Sequence, residues 1–240
     1  MINTKTAYLT IDDAPTEDVV WKAEYLLSKE IPAIWYCCGE ALEKNFNLAL
    51  EVLKLGFIIG NHSYTHRHFS ELSMEEARNE IFTTDKIIDN LYKEAGKIPI
   101  KTFRFPFGDK GNGEDAFGKN YLSKNPFADE IQKILKDTGY KQPKFKEITY
   151  KKYHEKGLLN VADVYWTYDC REWTMSHHGT TLEELEARMD KVDPDNWLGL
   201  NTPASNEIIL IHDHIETSHI FKPLIEKLLS KNLKFELPEF

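Results

Sequence analysis

Apolar, β-rich runs alternate with amphipathic stripes along nearly the whole chain, and charged or imidazole residues stand where the runs end. Residues 7–13, 31–37, 57–61, 101–106, 161–168, 207–212 and 233–237 read as strands. Between them, residues 17–30, 41–55, a stretch from Ser73 to Gly96, 127–137, 181–192 and 219–231 carry apolar side chains at helical spacing. Ser73–Glu76 and Thr181–Glu184 each fit a capping box that opens a helix. This alternation predicts an α/β fold, a mostly parallel sheet covered by helices. So many strand candidates point to closure as a distorted (β/α) barrel of about seven strands. Asp12-Asp13, His62, Arg104, Asp169 and His212 each end a strand candidate. In a parallel barrel those ends share one face, and that face carries the active site.

No repeat, low-complexity run or Pro/Gly/Ser linker divides the 240 residues, so a single domain over 1–240 is expected. The polar, Gly-rich stretch 109–126 reads as a long loop opening an extended insertion around 109–160. A net charge of −9 argues against a nucleic-acid partner, which needs a basic face. No apolar run is long enough for a membrane-spanning helix. The first fifteen residues lack the apolar core of a signal peptide. The expectation is a cytoplasmic protein, or a secreted one whose leader has been removed. Cys37, Cys38 and Cys170, odd in number and two of them adjacent, read as reduced thiols rather than a disulfide framework.

Several of the polar positions have chemistry in common. His62 and His66, four apart on one helical turn, would place two imidazoles on one side, suited to a single metal ion. His68 is close enough in sequence to serve in place of one of them. Asp12 and Asp13 repel each other unless a cation or proton is shared, although Asp13 could instead cap a helix starting near Thr16. Neighbouring side chains of an extended segment diverge. One Asp could therefore bind metal while the other reaches a metal-bound water. His₂Asp plus water is a plausible open zinc site, and zinc brings the pKa of such a water to about 7. Breakdown of a tetrahedral intermediate needs an acid. His212 is the candidate, with Asp213 and His214 beside it leaving open which side chain points inward. Asp169 and Glu172 are both candidates to orient it. Arg104 supplies a cation for a carboxylate, and Pro106 and Gly108 would shape the next loop so that a backbone N–H faces a developing oxyanion. Phe107 and Trp173 offer apolar walls.

Together these segments resemble the polysaccharide deacetylase family, also called the NodB-homology domain or carbohydrate esterase family 4. Thr10-Ile-Asp12-Asp13-Ala-Pro15 resembles its T-F-D-D-G-P, and His62-Ser-Tyr-Thr-His66 its H-[ST]-x-x-H. Arg104-Phe-Pro-Phe-Gly108 resembles R-x-P-Y-G, Asp169-Cys-Arg-Glu-Trp173 resembles D-x-x-D-W, and Leu210-Ile-His212 resembles L-x-H. The resemblance implies metal-dependent removal of acetyl groups, N- or O-linked, from a glycan such as chitin oligomers or peptidoglycan. It implies Asp12 as base, His212 as acid, and Asp13, His62 and His66 as metal ligands. Arg104 would position Asp12, and Glu172 or Asp169 would tune His212. Trp173 and Leu210 would line the acetyl pocket, with the oxyanion donor at the Phe107 N–H. Zinc suits His₂Asp, and cobalt, nickel or iron could bind the same set. Ala14, Phe107 and Glu172 depart from the family's Gly, Tyr and Asp. A cyclic amide or imide hydrolase on the same barrel, and a non-catalytic glycan-binding module, are the competing readings.

Overall fold

The central strand is settled by its composition. In the computed structural model, which describes residues 4–113, 125–192, 199–202 and 205–240, β1 (Lys5–Ala14) pairs on both edges and is buried along most of its length. A β-rich run without a solvent face fits such a position. β2 (Ala33–Cys37) and β3 (Ile58–Asn61) lie beyond one edge of β1, with β5 (Glu207–His212) and then β4 (Tyr168–Asp169) beyond the other, giving the order β3-β2-β1-β5-β4. The short β6 (Leu233–Phe235) pairs with the first residues of β1, and every pairing is parallel.

The described sheet has six strands rather than seven. Residues 101–106 and 161–168, both expected as strands, give only the parallel bridges Asn61–Phe103 and Phe103–Asp163 before β4. Those bridges, with Arg104 N–H donating to Asn61 O and Val164 N–H to Phe103 O, carry the circuit from β3 round towards β4. The result is a distorted barrel with one weakly laddered side. Three aromatic rings, Phe69, Phe103 and Phe105, fill that side in edge-to-face contacts at 4.8–6.1 Å.

Helices cover the outside. α1 (Val19–Ser28), α3 (Phe46–Lys54), α8 (Leu182–Met189) and α9 (Phe221–Leu229) send Leu26, Val52, Leu185 and Leu224 into one core with Ala7, Leu9 and Ile11 of β1. The expected helix over 41–55 is two, because α2 (Gly39–Lys44) ends at Asn45 before α3 begins. α4 (Met74–Glu94) and α8 each open on the expected capping box. The stretch read as an insertion contains α5 (Pro126–Asp137) and α6 (Lys151–Glu155), while part of its long loop, 114–124, lies outside the described residues. α7 (Thr174–His178) follows β4. No helix among the described residues is long and apolar enough to cross a membrane.

Strand alternation then stacks the interior. Tyr8, Ile34 and Ile208 share a core on the other face of the sheet from Leu9 and Ile11. The β1–β5 register pairs Tyr8 with Ile208, Thr10 with Leu210, and Asp12 with His212. Asp12 and His212 therefore finish adjacent strands at the same level.

Beneath them lies a buried ion pair. Lys22 of α1 reaches Asp213, which also accepts from the Thr16 N–H at 2.7 Å and the Thr16 hydroxyl at 2.9 Å. Both charged side chains are essentially inaccessible. Removing one partner of such a pair costs about 3–5 kcal/mol. Urea unfolding of Lys22→Met should show a loss of that size. Adding Asp213→Asn, which removes the stranded charge but keeps an acceptor for Thr16, should recover part of it.

Candidate active site

Asp12 and Asp13 occupy the point where β1 leaves its register. Pairing with β2 runs from Leu9–Ala33 to Ile11–Trp35 and resumes irregularly at Ala14–Cys37. Between them Asp13 adopts a left-handed backbone, φ 63°. Strand alternation would send Asp13 to the face opposite Asp12. The irregularity re-aims it, as bulges do, and both carboxylates reach the same imidazole. His62 Nε2 is 3.6 Å from Asp12 Oδ2 and 3.3 Å from Asp13 Oδ1. Asp13 therefore does not cap the first helix, which starts at Val19 after Asp18. Ala14 is not among the left-handed residues, so a Cβ is tolerated there.

The two histidines are not on a helical turn. They follow β3 in a loop with Ser63 and His66 at φ 67° and 57°. Glu80 of α4 holds that loop by accepting from the N–H groups of Tyr64 and Thr65 and from the Thr65 hydroxyl. Asn61 Oδ1 takes the Ser63 N–H, and Ser63 Oγ takes the His66 N–H. The imidazole rings end 5.0 Å apart. His68 turns away to stack on Phe107 at 3.9 Å, with Nδ1 3.3 Å from Asp109, and takes no part in the cluster.

His62 Nδ1 donates to the Arg104 carbonyl at 2.8 Å, which leaves Nε2 facing the carboxylates; burial disfavours the charged ring, but Asp12 and Asp13 raise its pKa. That nitrogen faces Asp13 Oδ1, a buried oxygen without a hydrogen bond, and His66 Nε2 lies 3.0 Å from the same atom. Ring nitrogens this close to a carboxylate oxygen share a proton or a cation with it. Burial opposes the Asp13 charge, yet the surrounding imidazoles of His214, His62 and His66 outweigh it and hold the carboxyl well below the usual carboxylate range. Asp13, His62 and His66 thus offer three ligand atoms within 4.8 Å of one another, a donor set that fits a divalent metal.

Arg104 stands behind Asp12, fully buried. Its Nη1 donates to Asp12 Oδ1 at 2.7 Å and to Thr10 Oγ1 at 2.8 Å, and Nε donates to the Val164 carbonyl. The guanidinium lies over the rings of Tyr36 and Trp166, 4.5 and 5.8 Å from their centroids. On the other side of the site, Glu172 Oε1 lies 2.8 Å from His212 Nδ1 and also accepts the His212 N–H. Of the two candidate partners, Glu172 is therefore the one in contact. Burial disfavours the imidazolium, but Glu172, with Asp13 and Asp169 farther off, pushes the His212 pKa up to about 10. Asp169 is turned to the Arg171 N–H at 2.8 Å, and burial together with neighbouring Glu172 raises its carboxyl.

A cavity of about 710 Å³ opens over these groups. Asp12, Asp13, His62, His66, Asp169 and His212 line it, as do the apolar candidates Phe107, Trp173 and Leu210. Arg104 and Glu172 do not reach it and act from behind. Phe107 is half exposed with a left-handed backbone, φ 57°. The cavity also takes in residues the motifs did not single out, among them Tyr165, Trp166, His177, Arg188 and His214. Tyr165 and Trp166 stack at 4.0 Å, and Gly108 leaves room for Tyr165, since a Cβ there would come within 2.6 Å of it. His214 bonds Asp13 Oδ2 at 2.8 Å, whereas Asp213 points into the Lys22 pair. In sequence these two differ only as neighbours of His212.

Known proteins resemble this chain in sequence and in fold. The chain is 33% identical over 102 residues to a peptidoglycan-N-acetylglucosamine deacetylase of Bacillus cereus, a match covering 42% of this chain and 36% of that protein. It spans well under half the length of the curated relatives it matches first. The peptidoglycan deacetylase PdaC of Bacillus subtilis superposes with a TM-score of 0.61 at 20% identity, covering 98% of this chain and 88% of that one. A carbohydrate esterase family 4 pseudoenzyme of Bacillus anthracis superposes as well, at a TM-score of 0.62 and 19% identity over 98% of this chain and 64% of its own. The fold is therefore shared by an enzyme and a pseudoenzyme. Residues 2–143, which contain the first three motifs, match the family described as polysaccharide deacetylase, and the chain belongs to that family.

Proposed function

We propose that the chain is a metal-dependent deacetylase that removes acetyl groups, N-acetyl above all, from an acetylated amino sugar or polysaccharide such as chitin oligomers or peptidoglycan. The observation that carries this reading is the placing of Asp12 and His212 around the Asp13–His62–His66 cluster in one cavity. The described residues are read as one catalytic domain, with the 109–160 stretch as an insertion in it.

Zinc, or cobalt, nickel or iron in the same donor set, would be held by Asp13, His62 and His66, and would polarise the acetyl carbonyl and acidify a water. Asp12 accepts the proton of the attacking water, its carboxylate oriented by Arg104. The Phe107 N–H is the assigned oxyanion donor. Trp173 and Leu210 enclose the acetyl methyl. As the C–N bond breaks, His212 gives its proton to the departing nitrogen, leaving acetate and a free amine. Glu172 keeps that imidazole charged and oriented, with Asp169 beside it.

The test is acetate release by the zinc-loaded protein from chito-oligosaccharides, peptidoglycan fragments and acetylated xylan. Asp12→Asn should keep its zinc and lose about 10²–10⁴-fold in rate, the range for general-base catalysis. Absence of acetate from all three, with zinc bound, would overturn the reading. A pH profile checks the acid. The His212 pKa is raised to about 10, so the protonated donor is present at neutral pH and is lost as pH rises through that value. In Glu172→Gln the amide still accepts from Nδ1 but the charge is gone. The alkaline limb of activity should then move down by about 1–3 pH units.

A further inference from the structure

The two oxygens of Asp13 have different surroundings. Oδ1 is buried, without a hydrogen bond, and faces His62 and His66. Oδ2 lies 2.8 Å from His214 Nε2. A carboxylate oxygen only accepts, so the hydrogen in that bond belongs to His214 Nε2. His214 is delivered from the opposite side of the site, two residues beyond the end of β5. The residue between, Asp213, is anchored by Lys22 and Thr16, and its N–H donates to the Asp12 carbonyl at 2.8 Å. The His214 ring is further held by stacking on His212, 5.2 Å between centroids at 26°.

We propose that His214 is a positioning residue for cation binding. By donating to Oδ2 it turns the Asp13 carboxylate so that Oδ1 alone is offered to a divalent cation shared with His62 and His66. The inference rests on the metal-dependent reading above and adds to it a residue outside the five motifs. Without the bond, Asp13 swings about its terminal torsion and must be ordered each time a cation binds. Hydrogen bonds to a ligating carboxylate fix its orientation, and losing one typically weakens metal affinity by about 10–100-fold. His214 is not read as a fourth ligand, because its Nε2 is engaged with Oδ2 and it is not part of the group whose ligand atoms lie within 4.8 Å of one another.

The experiment is zinc titration of the metal-free protein against a chromophoric chelator, for the wild type, His214→Ala and His214→Gln. The cobalt-loaded forms are compared by visible absorption at saturation. Zinc dissociation should weaken about 10–100-fold in His214→Ala. It should return most of the way in His214→Gln, whose side-chain amide can donate from a similar reach. Cobalt bands should keep their position and intensity in all three. Should His214→Ala fail to fold, His214→Phe, which keeps ring volume without a donor, must show the same weakening. An unchanged zinc affinity in the variant without a donor overturns the proposal, and so does failure of His214→Gln to recover it. A cobalt spectrum altered by the substitution overturns it in favour of direct ligation. If the wild type itself binds no zinc, the metal-dependent reading falls and takes this inference with it, whereas the other adverse outcomes leave that reading standing.

Discussion

Four carboxylates, Asp12, Asp13, Glu172 and Asp213, crowd the end of the barrel where β1 and β5 finish, and the structure around them is organised by the need to balance their charge. Three have a cationic partner in direct contact: Arg104 for Asp12, Lys22 for Asp213 and His212 for Glu172. Asp13 has only imidazoles. In a poorly solvated site a carboxylate without a positive partner is expensive, and around Asp13 that role falls to His62, His66 and His214. Neighbouring charge thus favours the protonated form of the imidazole opposite, His212, despite its burial, and leaves Asp13, His62 and His66 as a candidate cation site. Arg104 in turn depends on its contacts with the Tyr36 and Trp166 rings, and Lys22 on its place in the α1 interface.

Much of this was legible in the sequence, because it depends on strand ends. The runs that lead to Asp12, His62 and His212 are true strands, with His62 the first residue beyond β3, and the parallel register brings their ends to one face. Helices with hydroxyl-glutamate caps were equally plain, since a capping box is a local property of four residues. What the residues left open was decided by tertiary contacts. The His62–His66 spacing suggests a helix, but Glu80, sixteen residues on from Tyr64, captures the loop's amides and imposes another path. Residues 101–106 and 161–168 have strand composition, yet short of Tyr168 in β4 they meet their neighbours at single bridges, and no local pattern shows that a ladder will be short. Whether Asp169 or Glu172 reaches His212, and whether Asp213 or His214 faces the cavity, turns on the path of a few backbone torsions, including Arg171 at φ 59°.

The family's fold does not by itself decide activity, as the superposition on both an enzyme and a pseudoenzyme makes plain. Here the three departures from the family pattern are each accommodated by geometry. Ala14 does not need a glycine's backbone, Phe107 sits half exposed over His66 and His68, and the longer Glu172 reaches both the ring and the backbone N–H of His212.

The direct pairing of Asp12 with His212 across the β1–β5 ladder has a consequence for how this protein can change. Their spacing is a matter of strand register and not of side-chain packing, so repacking the outer helices leaves it untouched. A residue gained or lost inside β1 would rotate every later side chain to the opposite face, sending Asp12 toward the helices and Ile11 toward the cavity, and the same change inside β5 would turn His212 away. Changes of length are therefore tolerated in the loops above the barrel, where they reshape the mouth of the cavity, while the two strands that meet at its bottom are held to a fixed count.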